Sequence, residues 1–472
     1  MTKGTTQMEL FRLTATEASE LMRRRELSPV ELLDAVVART AATEPAINAV
    51  TEEWVEEARA AAHVSEQRFA AGEAARPLEG IPLMLKEEQP VAGRLAEEGC
   101  LLERGHIADE THPIVERIQA AGAVIHARTT TPEYCCAPVT HTKLWGVTRN
   151  PWNTEFSPGG SSGGSGAVLA AGSTLLATGS DIGGSIRIPA SFCGVVGFKP
   201  PFGRVPGIAP FNSDTYCADG PMGRSVADVA LLQNVISGPW VGDAASLRDL
   251  STVSGAVASL EGMRIALCLD LGGYDVDPAV EQNTRTAAAA LVAAGATVDL
   301  VELPWGPERT LATAWPHFGA VMGPFIEQIA EGEPERAEQL MPYTRAFAAQ
   351  AAAGGEYVEG LVAETSFYRP FAELMTGYDA LVCPTIATTG FAADEPATDS
   401  AAVFSKLMTL PFNVIGRVPV LAVPSGRAPN GVPTGVQIVG KTYDDTTVFR
   451  IGAALEQELG LWTDPAWWPA VV

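Results

Sequence analysis

Positive charge is scarce in this sequence. Its 472 residues carry 32 Lys and Arg against 56 Asp and Glu, a formal net charge of −24. A surface of that sign repels nucleic acid and anionic membranes, so neither is expected as a partner. Charge of either sign is thin, at 19% of residues; 46% are hydrophobic and mean hydropathy is +0.11. That balance belongs to a soluble globular chain with a large interior. No run of about 18 uninterrupted apolar residues occurs, which argues against a membrane-spanning helix. The opening residues MTKGTTQMELFRL lack the apolar stretch of a secretory signal. Cysteine is odd in number, at seven, with no pair at zinc spacing. Cys135 and Cys136 are adjacent, which suits neither a structural disulfide nor a metal site, so all seven read as reduced thiols of a cytoplasmic protein. Histidine numbers only six, and none lies in a recognisable catalytic triad motif.

What is present is a long alternation of strand and helix signals. Ser28-Pro29-Val30-Glu31 combines an N-cap serine, proline at the first helical position and a glutamate that closes a capping box. Residues 1–75 read as helical throughout. The apolar run 80–85 reads as a buried strand. Helix 114–121, strand 124–127, helix 167–171, strand 173–177 and helix 226–236 follow, with 158–166 too rich in Gly and Ser for a regular element. Strand 263–269, helix 278–294 and strand 297–303 form a βαβ pattern. Residues 305–376 read as a mainly helical, variable region, before strands 380–384, 418–424 and 434–439 and a closing helix 447–459. No linker or repeat divides the chain. The expectation is one α/β domain over 1–472, with a central mixed, largely parallel β-sheet flanked by helices and a catalytic core in 76–230.

The chemistry concentrates in Ser157-Pro-Gly-Gly-Ser161-Ser162-Gly-Gly-Ser-Gly166 and Gly179-Ser-Asp181-Ile182-Gly183-Gly184-Ser185-Ile-Arg187. Two glycines directly before Ser185 let backbone approach a ligand without a Cβ in the way. Successive N–H groups there can converge on a developing oxyanion beside a hydroxyl nucleophile. A serine needs a base, and a lysine serves if its charge is suppressed. Lys86 is the candidate, at the end of the buried run; Glu87 and Glu88 beside it work the other way, since their charges raise its pKa. Gly159-Gly160-Ser161-Ser162-Gly163 fits the G-x-S-x-G pattern of α/β-hydrolases, but no good strand precedes it and no glycine-rich oxyanion motif lies upstream.

Over nearly its whole length the chain resembles the amidase signature family. The matching blocks are GIPLMLKE at 80–87, AGAVIHARTTTPEY at 121–134, GVTRNPW at 146–152, PGGSSGGSGAVLAAG at 158–172, TGSDIGGSIRIPASFCGVVGFKP at 178–200, GPMGRSVAD at 220–228 and GVPTGVQIVG at 431–440, in the family's order. The resemblance implies a Ser–cis-Ser–Lys triad of Ser185 as nucleophile, Ser161 as bridge on a cis bond to Gly160, and Lys86 as base. It implies an oxyanion hole from the backbone N–H groups of Ile182, Gly183, Gly184 and Ser185. Asp181, Arg187 and Ser162 are implied as structural support. Gly160 and Cys135 are expected at the substrate, with Cys135 and Cys136 forming a mostly apolar wall; Trp315 and Phe318, from the variable helical region, read as an aromatic pocket for the substrate or equally as helical core packing.

The chain departs from the family at Ala96-Glu97, Cys100, Arg128 and Thr130, all outside the triad. Ile188 stands where the tRNA-dependent amidotransferase branch usually has Gln. The expected function is therefore hydrolysis of amides with hydrophobic or aryl substituents through an acyl-enzyme on Ser185. Carbamate or ester hydrolysis is the alternative, and an amidotransferase glutaminase-type subunit ranks below both. No metal and no cofactor are expected. The expected partner is the small-molecule amide or carbamate itself, with room for a homodimer.

Overall fold

The computed structural model describes residues 7–330 and 333–471. Among them thirteen strands run in chain order: β1 (Val50–Glu53), β2 (Pro82–Lys86), β3 (Val124–Thr129), β4 (His141–Thr142), β5 (Gly146–Val147), β6 (Leu176–Asp181), β7 (Val196–Lys199), β8 (Ala218–Gly223), β9 (Arg264–Leu267), β10 (Thr297–Leu300), β11 (Ala380–Pro384), β12 (Val420–Arg427) and β13 (Pro433–Val439). β4 and β5 pair with each other, and the other eleven form one sheet in the order β1-β3-β2-β6-β8-β7-β12-β13-β11-β9-β10. The sheet is mixed, as the alternation of signals predicts. Its parallel pairs lie towards the wings: β3 with β2, β2 with β6, β11 with β9, and β9 with β10. An antiparallel block from β6 through β8, β7, β12 and β13 to β11 joins them, and β1 adds an antiparallel edge.

Period-two alternation sorts the side chains of the sheet between two faces. Ala380, Val382, Leu421, Val423, Val436 and Ile438 share one core with Ala287, Leu291 and Phe449 of helices Pro278–Ala293 and Asp445–Leu459. Leu381, Cys383, Val420 and Val439 face the other way, into the core that also holds Trp315, Phe318, Phe347 and Phe367 of the helices between Gly306 and Leu374. Helix Arg187–Cys193 lies on that second face and packs against helix Gly163–Ala171. The segments that carry Ser161 and Ser185 are thereby held between the sheet and the helical region.

Three local readings differ from the structure. The N-terminal part is not wholly helical: Val50–Glu53 is a strand, paired with β3 through a register irregularity between Val50 and Glu52. The Gly/Ser segment is not irregular to its end, because helix Gly163–Ala171 begins inside it. Its glycines are demanded by contact: a Cβ at Gly164 would lie 2.5 Å from Thr130 N. Finally, the strand expected at 173–177 is Leu176–Asp181, so it runs on into the loop that carries Ser185.

Candidate active site

Three backbone segments bring the site together. β2 is buried at all five positions and ends at Lys86, whose N–H donates to Thr178 Oγ1 of β6 at 2.9 Å. β6 delivers Ser180 and Asp181 and passes directly into the loop 182–185. The third segment enters helix Gly163–Ala171 through the Gly160–Ser161 peptide, which is cis. Here glycine is required by close approach, since a Cβ on Gly160 would sit 2.6 Å from the Ala137 carbonyl oxygen. Ser162 ties the last two segments together: its N–H donates to the Ser185 carbonyl at 3.0 Å, and its hydroxyl accepts from Ser180 N at 3.3 Å.

Lys86 and Ser161 are fully buried, and Ser185 is 7% exposed. Lys86 Nζ donates to Ser161 Oγ at 2.8 Å and also to Ser180 Oγ at 2.8 Å. It forms an ion pair with Glu88 Oε2 at 2.9 Å. Among the described residues Ser161 Oγ makes no hydrogen bond to Ser185 Oγ, where the expected triad would have one. Burial alone would pull the Lys86 ammonium down, but its ion pair with Glu88 outweighs that and holds Lys86 above the ordinary lysine value. Burial pushes Glu88 the opposite way, and Lys86 outweighs it, leaving this carboxyl below its usual range.

The loop after β6 is set by Asp181. Its carboxylate accepts from Gly184 N at 2.9 Å and Ile186 N at 3.1 Å, and is gripped by Arg187 through Nη2 at 2.8 Å and Nε at 3.0 Å. Arg187 also reaches Thr409 O, Gln437 Oε1 and Asn413 Oδ1 at 2.7–2.9 Å. Both charges are fully buried, and every contact is a charge-assisted bond in a dry setting. This corrects the expected oxyanion hole in one position. The Gly184 N–H belongs to Asp181, leaving the N–H groups of Ile182, Gly183 and Ser185 without an acceptor among the described residues. Gly184 has φ +127°, where a side chain is disfavoured, and a Cβ there would strike Thr409.

Two cavities meet at the site. The smaller, about 30 Å3, lies against Ser185, Gly160 and Gly183 and is walled by Ile188, Cys136, Phe318, Phe347, Phe404 and Leu407. The larger, about 280 Å3, is lined by Tyr134, Phe202, Phe211 and Phe325 together with Glu88, Glu98 and Asp219. Cys135, Ile182 and Met322 border both. Of the two aromatics expected at the substrate, Phe318 lines the smaller cavity. Trp315 does not reach it: it packs behind, with its ring 5.7 Å from Phe318 and 5.4 Å from Phe404. The cysteine wall also differs from expectation. Tyr134 and Cys135 sit at φ 48° and 57°, a costly left-handed pair for non-glycine residues, and the Cys135 thiol donates to Glu88 Oε2. Cys135 is thus part of the polar cluster, whereas Cys136 remains apolar wall. All seven cysteines are free, as expected, and among the described residues no helix is long and apolar enough to cross a membrane.

Sequence reasoning missed Ser180, Glu88 as a direct partner of Lys86, and Asn413. The first two are within ten residues of recognised positions, and Glu88 was legible as a nearby charge. Asn413 is 232 residues from Asp181, onto whose carboxylate it donates at 2.8 Å, and no local signal marks it.

The Amidase family model matches residues 31–449. A glutamyl-tRNA(Gln) amidotransferase subunit from Chloroflexus aggregans is 34% identical over 477 residues, covering 95% of this chain and 97% of that protein. Among solved structures, 6-aminohexanoate cyclic dimer hydrolase superposes with a TM-score of 0.84 at 30% identity, covering 98% of this chain and 99% of that one. A bacterial aryl acylamidase of the amidase signature family superposes with a TM-score of 0.84 at 26% identity, covering 96% and 97%.

Proposed function

The chain belongs to the amidase family, whose members act on C–N bonds, and on that footing we propose that it hydrolyses amides bearing an apolar or aromatic group through an acyl-enzyme on Ser185. The observation that carries this reading is the hydrogen bond from Lys86 to Ser161 at the cis bond, beside a serine that follows two glycines and three uncommitted N–H groups. When substrate seats, Ser185 Oγ attacks the carbonyl carbon. Its proton passes to Ser161 as the Ser161 proton passes to the Lys86 amine, and the oxyanion accepts from Ile182, Gly183 and Ser185 N–H. This needs the Ser161–Ser185 leg to close, a tightening that catalytic hydrogen bonds commonly undergo on substrate binding. The Lys86 ammonium then returns the proton through Ser161 to the leaving nitrogen, and the C–N bond breaks with departure of the neutral amine. Water repeats the sequence on the ester and regenerates Ser185. The same steps act on a carbamate or an ester.

Substrate preference follows from the cavities. The smaller admits a compact apolar group, and the larger offers aromatic rings to a bulkier one. Burying such a group contributes roughly 1.5–3 kcal/mol, one to two powers of ten in specificity. We therefore expect kcat/KM for an anilide or aryl carbamate to exceed that for acetamide or glutamine by at least about tenfold. The amidotransferase reading is favoured by relatives of that name across the whole chain. Against it stands Ile188 in the small cavity, where that branch usually has Gln. The test is turnover of a matched panel of aryl amide, aryl carbamate, ester, primary amide and glutamine, with Ser185 located as the labelled residue by mass spectrometry after a sulfonyl fluoride. Glutamine as the best substrate would establish the second reading; labelling at Ser161 instead of Ser185 would remove the proposed nucleophile.

A further inference from the structure

Lys86 Nζ has three oxygen neighbours and no solvent: Ser161 Oγ at 2.8 Å, Ser180 Oγ at 2.8 Å and Glu88 Oε2 at 2.9 Å. An ammonium has three N–H donors and satisfies all three contacts. A neutral amine has two donors and one lone pair, so one neighbour must donate to it. Ionised Glu88 has no proton to give, and therefore always claims one N–H. Ser180 Oγ accepts the second N–H at 2.8 Å. The lone pair is then left facing Ser161, the one neighbour whose proton the reaction moves.

Resting on the hydrolase reading above, we propose that Glu88 is a positioning residue of the relay: its carboxylate orients the Lys86 lone pair onto Ser161 and, by holding the resting lysine as an ammonium, sets the pH above which the chain turns over. Glu88 stands two residues beyond Lys86 and is the carboxylate in ion-pair contact with it. The other titratable groups facing the pair come from every segment packed around it. Cys135, from the turn Glu133–Cys135, donates a hydrogen bond from its thiol to Glu88 and is held neutral by burial and by that carboxylate. Glu98 is pushed well above its ordinary value by burial and by Glu87 and Glu88. Asp219 and Cys217, around the start of β8, are raised by burial, and Asp219 is balanced by His112 at 3.4 Å. Glu87 turns away, its carboxylate accepting from Glu97 N at 2.8 Å and Glu98 N at 3.1 Å, next to Arg128. None of these replaces the negative charge at 2.9 Å from Nζ.

The base acts only as the neutral amine, so the rising limb of kcat/KM against pH reports loss of the Lys86 proton. Removing the Glu88 charge while keeping its shape should move that limb to lower pH. The experiment compares wild type, Glu88→Gln and Glu88→Asp for anilide hydrolysis between about pH 6 and pH 11, in parallel with the pH dependence of Ser185 sulfonylation. We expect the Glu88→Gln limb to fall by at least about one pH unit, tenfold in proton affinity, in both measurements. Glu88→Asp should keep a limb near that of wild type. A limb in Glu88→Gln that coincides with wild type overturns the inference, as does a folded Glu88→Gln chain whose Ser185 resists labelling at every pH. Failure of wild type itself to label at Ser185 is a different result and counts against the hydrolase reading instead.

Discussion

At the residue scale the site separates side chains that touch the reacting groups from those that shape their surroundings, and the two classes respond differently to truncation. Phe318 lines the small cavity beside Ser185, whereas Trp315 packs behind it. Phe318→Ala should therefore change substrate discrimination directly, narrowing the ratio of kcat/KM between an anilide and acetamide by several-fold. Trp315→Ala removes a buried aromatic from the core and should cost about 3–5 kcal/mol of stability by denaturant titration, with a smaller change in that ratio. Equal effects of the two on the ratio would show that neither sets preference by contact. The sequence made Lys86, Ser161 and Ser185 legible because their glycine and apolar surroundings are local. It did not separate Phe318 from Trp315, three residues apart on one helix, because helical spacing puts both towards the interior and only the packed tertiary arrangement shows which meets the cavity. Nor did it foresee that Gly184 N–H belongs to Asp181, since a glycine pair before a serine reads equally as two free donors.

At the element scale the local signals held where they were chemical. The Ser28 capping box forms as read: Ser28 Oγ accepts from Val30 N at 3.0 Å, and Glu31 accepts from Ser28 N at 3.3 Å. Helix Val226–Ile236 and strand Ala380–Pro384 have the bounds their patterns imply. They failed where packing overrode propensity. Three of the first four residues of helix Gly163–Ala171 are glycine, each roughly 1 kcal/mol worse than alanine in a helix interior. They are tolerated because each is closely approached: Gly163 by Thr140, Gly164 by Thr130 just beyond β3, and Gly166 by Pro189 and Cys193 of helix Arg187–Cys193. A Cβ at Gly164 meets Thr130 N at 2.5 Å and Thr130 O at 2.6 Å, both backbone and unable to yield. Gly164→Ala should consequently destabilise, by about 1–3 kcal/mol in denaturant titration, against the stabilisation that propensity alone predicts. It should also lower kcat, because this helix follows directly on Ser161 and Ser162. A Gly164→Ala chain as stable as the parent would mean the helix can shift away from β3, and the positioning role assigned to that contact would fall.

At the scale of the whole molecule, one sheet from β1 to β10 brings the Lys86 and Ser185 segments together while the helices between Gly306 and Leu374 cover them, and the price of that much interior is a set of buried ionisable groups. They pull the pH dependence of stability in opposite directions. Burial pushes Glu456 up to about 8, Glu44 to about 7 and Asp445 to about 6. Burial also pushes His126 down to about 3 and Lys199 down to about 7. A raised carboxyl binds its proton in the native chain while the unfolded chain has released it, so its contribution is complete below the ordinary value of 4.5 and is lost as pH rises through the folded value. A lowered histidine or lysine does the reverse in its own window, and the raw curve is a balance of the two. One substitution isolates a single contribution. Glu456 Oε1 accepts from Val226 N at 2.9 Å, at the start of helix Val226–Ile236, and glutamine keeps that acceptor without a titrating proton. The wild type should lose stability relative to Glu456→Gln progressively between about pH 4.5 and about pH 8, by an amount on the order of a few kcal/mol. Thermal midpoints of both chains, measured at one scan rate from about pH 4.5 to about pH 8.5, should diverge by a few degrees in favour of the variant at the alkaline end and converge at the acid end. A constant difference across that range would mean Glu456 titrates alike folded and unfolded, and one carboxyl would have to be struck from the set that makes this interior sensitive to base.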